Sequence, residues 1–163
     1  MNSLSQLPSF VSSSPITIKK TRTVEAAVNL IQQTEIGCLL VVDDEDRLVG
    51  VLTGKDLVLK VLARKRDAST TLVEEIMTVS PTSLRVDRVI DLVEVSKALS
   101  RSHVRRLPIV DSEKRPVGIV SLEDIIVEVG EIVGCLKTAI SSDITVGRMR
   151  SSKMFAGTKI GSV

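Results

Sequence analysis

The chain contains itself twice. Residues 39–61, LLVVDDEDRLVGVLTGKDLVLKV, align without a gap on residues 107–129, LPIVDSEKRPVGIVSLEDIIVEV, 68 positions further on. Asp43 falls on Asp111, Arg47 on Arg115, Val49-Gly50 on Val117-Gly118 and Asp56 on Asp124. Upstream, the helical pattern of 24–33 falls on 92–101. Ser14-Pro15 falls on Ser80-Pro81, with two extra residues in the second copy near Val89-Ile90. A copy of about 50 residues is too small to close a comfortable core alone. The duplication therefore predicts two units packed on each other about a pseudo-twofold axis.

Each copy reads as β-α-β-β-α, an α/β (α+β) fold. A short strand (16–18; 82–86) precedes a helix with apolar Val24, Ala27, Val28, Leu30 and Ile31 at helical spacing. The second copy gives Leu92, Val95, Ala98 and Leu99. A buried strand (38–42; 107–110) leads to a polar turn, DDEDR or DSEKR. A third strand (48–52; 116–120) runs into a helix starting near Thr53 or Ser121. The expected organisation is a flexible lead-in at 1–12, a first repeat at 13–66 and a linker at 67–75. A second repeat at 76–137 and a tail at 138–163 complete it. Ile132, Val133 and Leu136 extend the last helix into that tail, which is expected to be loosely ordered from about residue 147.

Composition excludes several functions. There are 22 basic and 20 acidic residues, a net charge of +2, which predicts no strong field toward nucleic acid or membrane. Trp and Tyr are absent and Phe occurs twice, so no aromatic platform can stack single-stranded bases. One histidine and two cysteines without ligand spacing argue against a metal site and against a disulfide framework. Cys38 and Cys135 read as small core residues. No apolar run reaches the ~18 residues of a membrane span, and the first residues carry no basic leader. A cytoplasmic protein is expected.

Three sets of residues could carry chemistry. Thr53 and Asp56, with their counterparts Ser121 and Asp124, follow a strand and open a helix. As a capping box, the hydroxyl caps the helix and the acid reaches back. As a ligand site, an acid at a strand end is placed for the vicinal hydroxyls of a ribose. Arg105 and Arg106 enter a buried strand from a helix end, where they serve either as C-terminal charges or as a phosphate clamp. The first copy has Gly37-Cys38 at that place. Lys55 is a surface lysine or a phosphate partner. No nucleotide-binding glycine loop and no acid–base dyad is present, so no catalytic residue is assigned.

Taken together, the SHVRRLPIVD segment, the acidic turn, the Gly-apolar-apolar-[Ser/Thr]-x-x-Asp ending and the duplication resemble the tandem cystathionine-β-synthase (CBS) domain module. The resemblance covers roughly residues 13–129. It implies two repeats paired through their sheets, modules that dimerise through helices, and adenosine compounds bound in clefts between repeats. It implies a non-enzymatic regulatory sensor of AMP, ADP or ATP, needing no cofactor, that acts as a homodimer on an unidentified enzyme or transporter. No membrane partner is implied, and nucleic acid is not expected. Asp56 and Asp124 resemble the ribose-binding aspartates, with Thr53 and Ser121 as companions. Around Asp124 the base would meet Ile16, Ile36 and Gly37; around Asp56 it would meet Thr82, Val104 and Arg105. Arg105, Arg106 and Lys55 resemble phosphate contacts. On this basis the Asp56 cleft should prefer phosphorylated ligands. The Asp124 cleft should be weaker, empty or suited to a less charged adenosine. The competing readings are an interaction scaffold with empty clefts and a binder of S-adenosylmethionine.

Overall fold

The computed structural model describes residues 7–87 and 90–155, the side chains of 141–155 apart. Contacts divide the chain into two units, Met1–Ile125 and Ile126–Val163. The first unit holds both sheets. β1 (Thr17–Lys19) lies parallel to β2 (Cys38–Val42) through the crossover helix α1 (Val24–Thr34). β2 turns back antiparallel on β3 (Leu48–Thr53). α2 (Gly54–Asp56) follows and widens into a π-helical stretch, Leu57–Leu62. After α3 (Val73–Ile76) and β4 (Thr78–Val79), the second repeat retraces the path. It runs through β5 (Leu84–Arg85), α4 (Leu92–Ser102), β6 (Arg106–Val110), β7 (Pro116–Ser121) and α5 (Leu122–Phe155).

The duplication reaches into single hydrogen bonds. α1 starts on Thr23, whose hydroxyl accepts from Ala26 N at 3.3 Å, and α4 on Asp91, which accepts from Glu94 N at 2.7 Å. They end on equivalent left-handed residues, Glu35 (φ 53°) and His103 (φ 52°). In the polar turns, Asp43 accepts from Arg47 N and Nε, both at 2.8 Å, and Asp111 accepts from Arg115 N and Nε at 2.8 and 2.9 Å. Two aliphatic cores result. Val24, Ala27, Leu39, Val41 and Leu52 build one, and Val95, Leu99, Leu107, Ile109 and Val120 the other. β2 is buried along its whole length, which is how a strand reads when both sheet faces are covered.

Each sheet is finished by chain that precedes the other repeat. Ser12, ahead of β1, exchanges two backbone hydrogen bonds with Ile119 in β7, each 3.0 Å. β4, ahead of β5, pairs with β3, placing Thr78 opposite Val51. Val51 and Ile119 are equivalent in the repeat. Gly118 makes the approach possible: a Cβ there would lie 2.9 Å from Val11 Cγ1 and 3.1 Å from Ser12 O. Its counterpart Gly50 clears Met77 in the same way.

These exchanges alter two expectations. Over its described residues, 7–12, the lead-in is a built part of the second repeat: Val11 is buried and Leu7 and Phe10 pack on that core. An exposed β7 edge is costly to leave open, and this segment covers it. The expected linker is folded as well. Val73 is fully buried, as is Ile76 just beyond it, and Val24 N donates to Thr71 O at 2.9 Å. One apolar pair on one helical turn is too short to register as periodicity beside so many polar residues. The tail also differs. α5 continues to Phe155, with no proline after Pro116 to stop it, and 156–163 lie outside the described residues. In the second unit, Ile126, Val127, Val133, Leu136 and Ile140 are exposed along that helix. Cys38 is buried, but Cys135 is exposed rather than part of a core. Among the described residues no helix is long and apolar enough to cross a membrane.

Candidate functional site

Both repeats end their third strand on a hydroxyl that caps the next helix. Asp56 Oδ2 accepts from Thr53 N at 2.9 Å and Thr53 Oγ1 at 2.6 Å, while Thr53 Oγ1 faces Asp56 N at 3.4 Å. Asp124 Oδ2 accepts from Ser121 N at 2.7 Å and Ser121 Oγ at 2.6 Å, with the return contact at 3.2 Å. These are capping boxes. Each occupies only one of the two carboxylate oxygens.

The remaining oxygens differ. Asp56 Oδ1 is paired with Lys60 Nζ at 2.8 Å, and the same ammonium donates to Ile76 O at 2.7 Å. Burial pushes the Asp56 carboxyl up, but hydrogen bonds from Lys60 and Thr53 outweigh it and hold the group below the ordinary aspartate range. Asp124 Oδ1 has no partner among the described residues. Where the first repeat has Lys60, the second has Glu128, an acid in place of an amine.

Asp124 opens on a cavity of about 310 Å³ between the repeats. Its walls include Ile16, Ile36 and Gly37 from the first repeat and Arg106, Ser121 and Asp124 from the second, with Glu35 and Cys38 beside them. Arg106 reaches it from the start of β6, where it is paired with Ser121 across the sheet. Its guanidinium lies 3.4 Å from where a Cβ on Gly37 would stand, in ordinary van der Waals contact. Cys38, the counterpart of Arg106, is paired with Thr53. Burial pushes its thiol up; Arg106 pulls it down and Asp56 pushes it further up, leaving it raised. It is a neutral wall residue rather than a nucleophile.

The other residues named from sequence fall elsewhere. Arg105 is 72% exposed and paired with Glu123 on α5. Lys55, Thr82 and Val104 are exposed, and none of these four lines the Asp124 cavity. Arg106, expected with Arg105 as a joint clamp, is parted from it because successive residues entering a strand point to opposite faces. Lys60 was not singled out from sequence. Its signal was the i,i+4 spacing from Asp56, the standard reach of an acid–base pair on a helix. A second cavity, about 830 Å³, lies at the polar turns between Arg47, Arg85 and Lys114. Its arginines are already paired with Asp43 and Asp87. Among the described residues no cluster of acids, histidine and cysteines could hold a metal ion.

Two repeats with exchanged edges, each closing its third strand on a hydroxyl–aspartate capping box, define a tandem-repeat pair. Residues 6–63 and 73–131 match the family model of the CBS domain, and the chain belongs to that family as a tandem pair. It is 34% identical over 111 residues to inosine-5′-monophosphate dehydrogenase of Methanocaldococcus jannaschii, covering 68% of this chain but 21% of that enzyme. Among solved structures, a CBS domain pair in complex with 5′-methylthioadenosine and S-adenosyl-L-methionine superposes with a TM-score of 0.65 at 30% identity. That match covers 75% of this chain and 93% of the other. CBSX2 in complex with AMP superposes with a TM-score of 0.63 at 27% identity, covering 76% and 94%.

Proposed function

We propose that this chain is a non-enzymatic regulatory module that binds an adenosine compound in the Asp124 cleft. The observation that carries the reading is Asp124 Oδ1, without a partner among the described residues, on a cavity that Arg106 also lines. In this reading Asp124 accepts the ribose hydroxyls, and Ile16 and Ile36 hold the base against the Gly37 backbone. Arg106 takes the phosphate as a charge-assisted pair. The ranking of the two clefts is then the reverse of the one expected from sequence. Among AMP, ADP and ATP, one guanidinium suits a single phosphate better than a chain of them. Support comes from the AMP and S-adenosylmethionine complexes of the similar CBS pairs. A second reading, S-adenosylmethionine, is favoured by Glu35, whose carboxylate on the same cavity matches a cationic ligand group. The module would work as a cytoplasmic homodimer on an enzyme or transporter.

Isothermal titration of AMP, ADP, ATP and S-adenosylmethionine tests this. Binding at micromolar strength, lost in Asp124→Ala, is expected. Arg106→Ala should weaken AMP by about 1.5–3 kcal/mol, the worth of a charge-assisted bond. No heat with any of the four, from a folded protein, would leave the Ser121–Asp124 pair as a helix cap and the module as a scaffold.

A further inference from the structure

We propose that Lys60 keeps the twin site at Asp56 closed, so that each chain takes one adenosine ligand and not two. This rests on the adenosine reading of the Asp124 cleft. The duplication supplies two aspartates with the same local sequence, and a vicinal diol needs two acceptor positions from either of them. In both, the cap fills Oδ2 with two donors. What remains is Oδ1. On Asp124 it has no partner among the described residues. On Asp56 it holds the Lys60 ammonium at 2.8 Å.

Lys60 is tethered from its far side too, because the same nitrogen donates to Ile76 O at 2.7 Å. Its side chain is 34% exposed and that of Asp56 13%, so water competes weakly for the pair. A diol arriving at Asp56 must displace a charge-assisted bond and leave an ammonium half-buried with one partner fewer. At Asp124 it displaces nothing. The second repeat cannot close itself in the same way, since Glu128 stands in the place of Lys60. Of the two cations expected at the Asp56 site, Lys55 and Arg105, the second is satisfied internally, by Glu123. Lys60 is thus a specificity-determining residue that touches no ligand and sets stoichiometry through Asp56.

The test is ligand stoichiometry per chain, by titration of AMP and separately of S-adenosylmethionine. The natural chain should bind one, and Asp124→Ala should lower that affinity more than tenfold. Lys60→Met keeps the aliphatic stem but removes the ammonium, and should bind a second equivalent. Lys60→Gln should do the same while retaining a donor for Ile76 O, which covers the case in which Lys60→Met fails to fold. Lys60→Arg should stay at one. The Lys60→Gln, Asp124→Ala double variant should return to one. Two equivalents in the natural chain, or one in both uncharged Lys60 variants, would overturn the proposal while leaving the Asp124 reading in place. Silence from every variant with both probes would overturn the adenosine reading itself.

Discussion

At the residue scale, one side chain four positions along separates Asp56 from Asp124. The consequence for pH follows from linkage. The Asp56 carboxyl sits below its ordinary range in the folded chain, so the unfolded chain binds that proton more tightly. Its stabilisation is complete at neutral pH and is lost as pH falls below about 4 and through the folded-state value. Asp56→Asn should therefore flatten the acid limb of the stability curve, followed by urea denaturation at stepped pH. Lys60→Met should raise the Asp56 midpoint in a carboxyl NMR titration. The caps themselves are structural whether or not a ligand binds. Ser121→Ala removes a hydroxyl that holds Asp124 Oδ2 at 2.6 Å and should cost about 0.5–2 kcal/mol in denaturant unfolding.

At the scale of elements, the two glycines in the Val-Gly pairs of β3 and β7 admit the crossing segments. Gly118→Ala would force Val11 and Ser12 away from β7. It should cost about 1–3 kcal/mol, as overpacking does, and limited proteolysis should then cleave within 7–12 faster than in the natural chain. Gly54 offers the contrast. It opens α2, and a Cβ there would meet nothing within 4 Å. Gly54→Ala should be neutral or stabilise by up to about 1 kcal/mol, seen as an unchanged or raised Tm. The longer elements could be read from sequence: α1 by its helical spacing, β2 by five apolar residues in a row. α3, β4 and the Ser12 bridge could not, because elements of one to four residues carry no period, and pairing between distant segments leaves no local trace.

At the scale of the molecule, neither sheet is complete without chain that lies, in sequence, just ahead of the other repeat's first strand. The first unit should consequently unfold in one transition by calorimetry, rather than repeat by repeat. A chain starting at residue 13 should lose the burial of Val11, about 1.5 kcal/mol or more, and melt about 3 °C or more below the natural chain. The sequence alone determined the duplication, the order β-α-β-β-α, the aliphatic cores, the family and the two capped aspartates, because all of these are written in local spacing and composition. Tertiary structure decided which aspartate keeps an oxygen without a partner among the described residues and which arginine lines the cleft. Asp56 loses its second oxygen to an ammonium held in place by Ile76 O, a carbonyl sixteen residues away from Lys60. Arg106 finds the cavity because strand register turns it toward Gly37 of the other repeat, while its neighbour Arg105 is drawn to Glu123. The Asp56–Lys60 pair has a trace in its i,i+4 spacing, but the approach of Arg106 to Gly37 joins residues of different repeats, and no pattern along the chain encodes it.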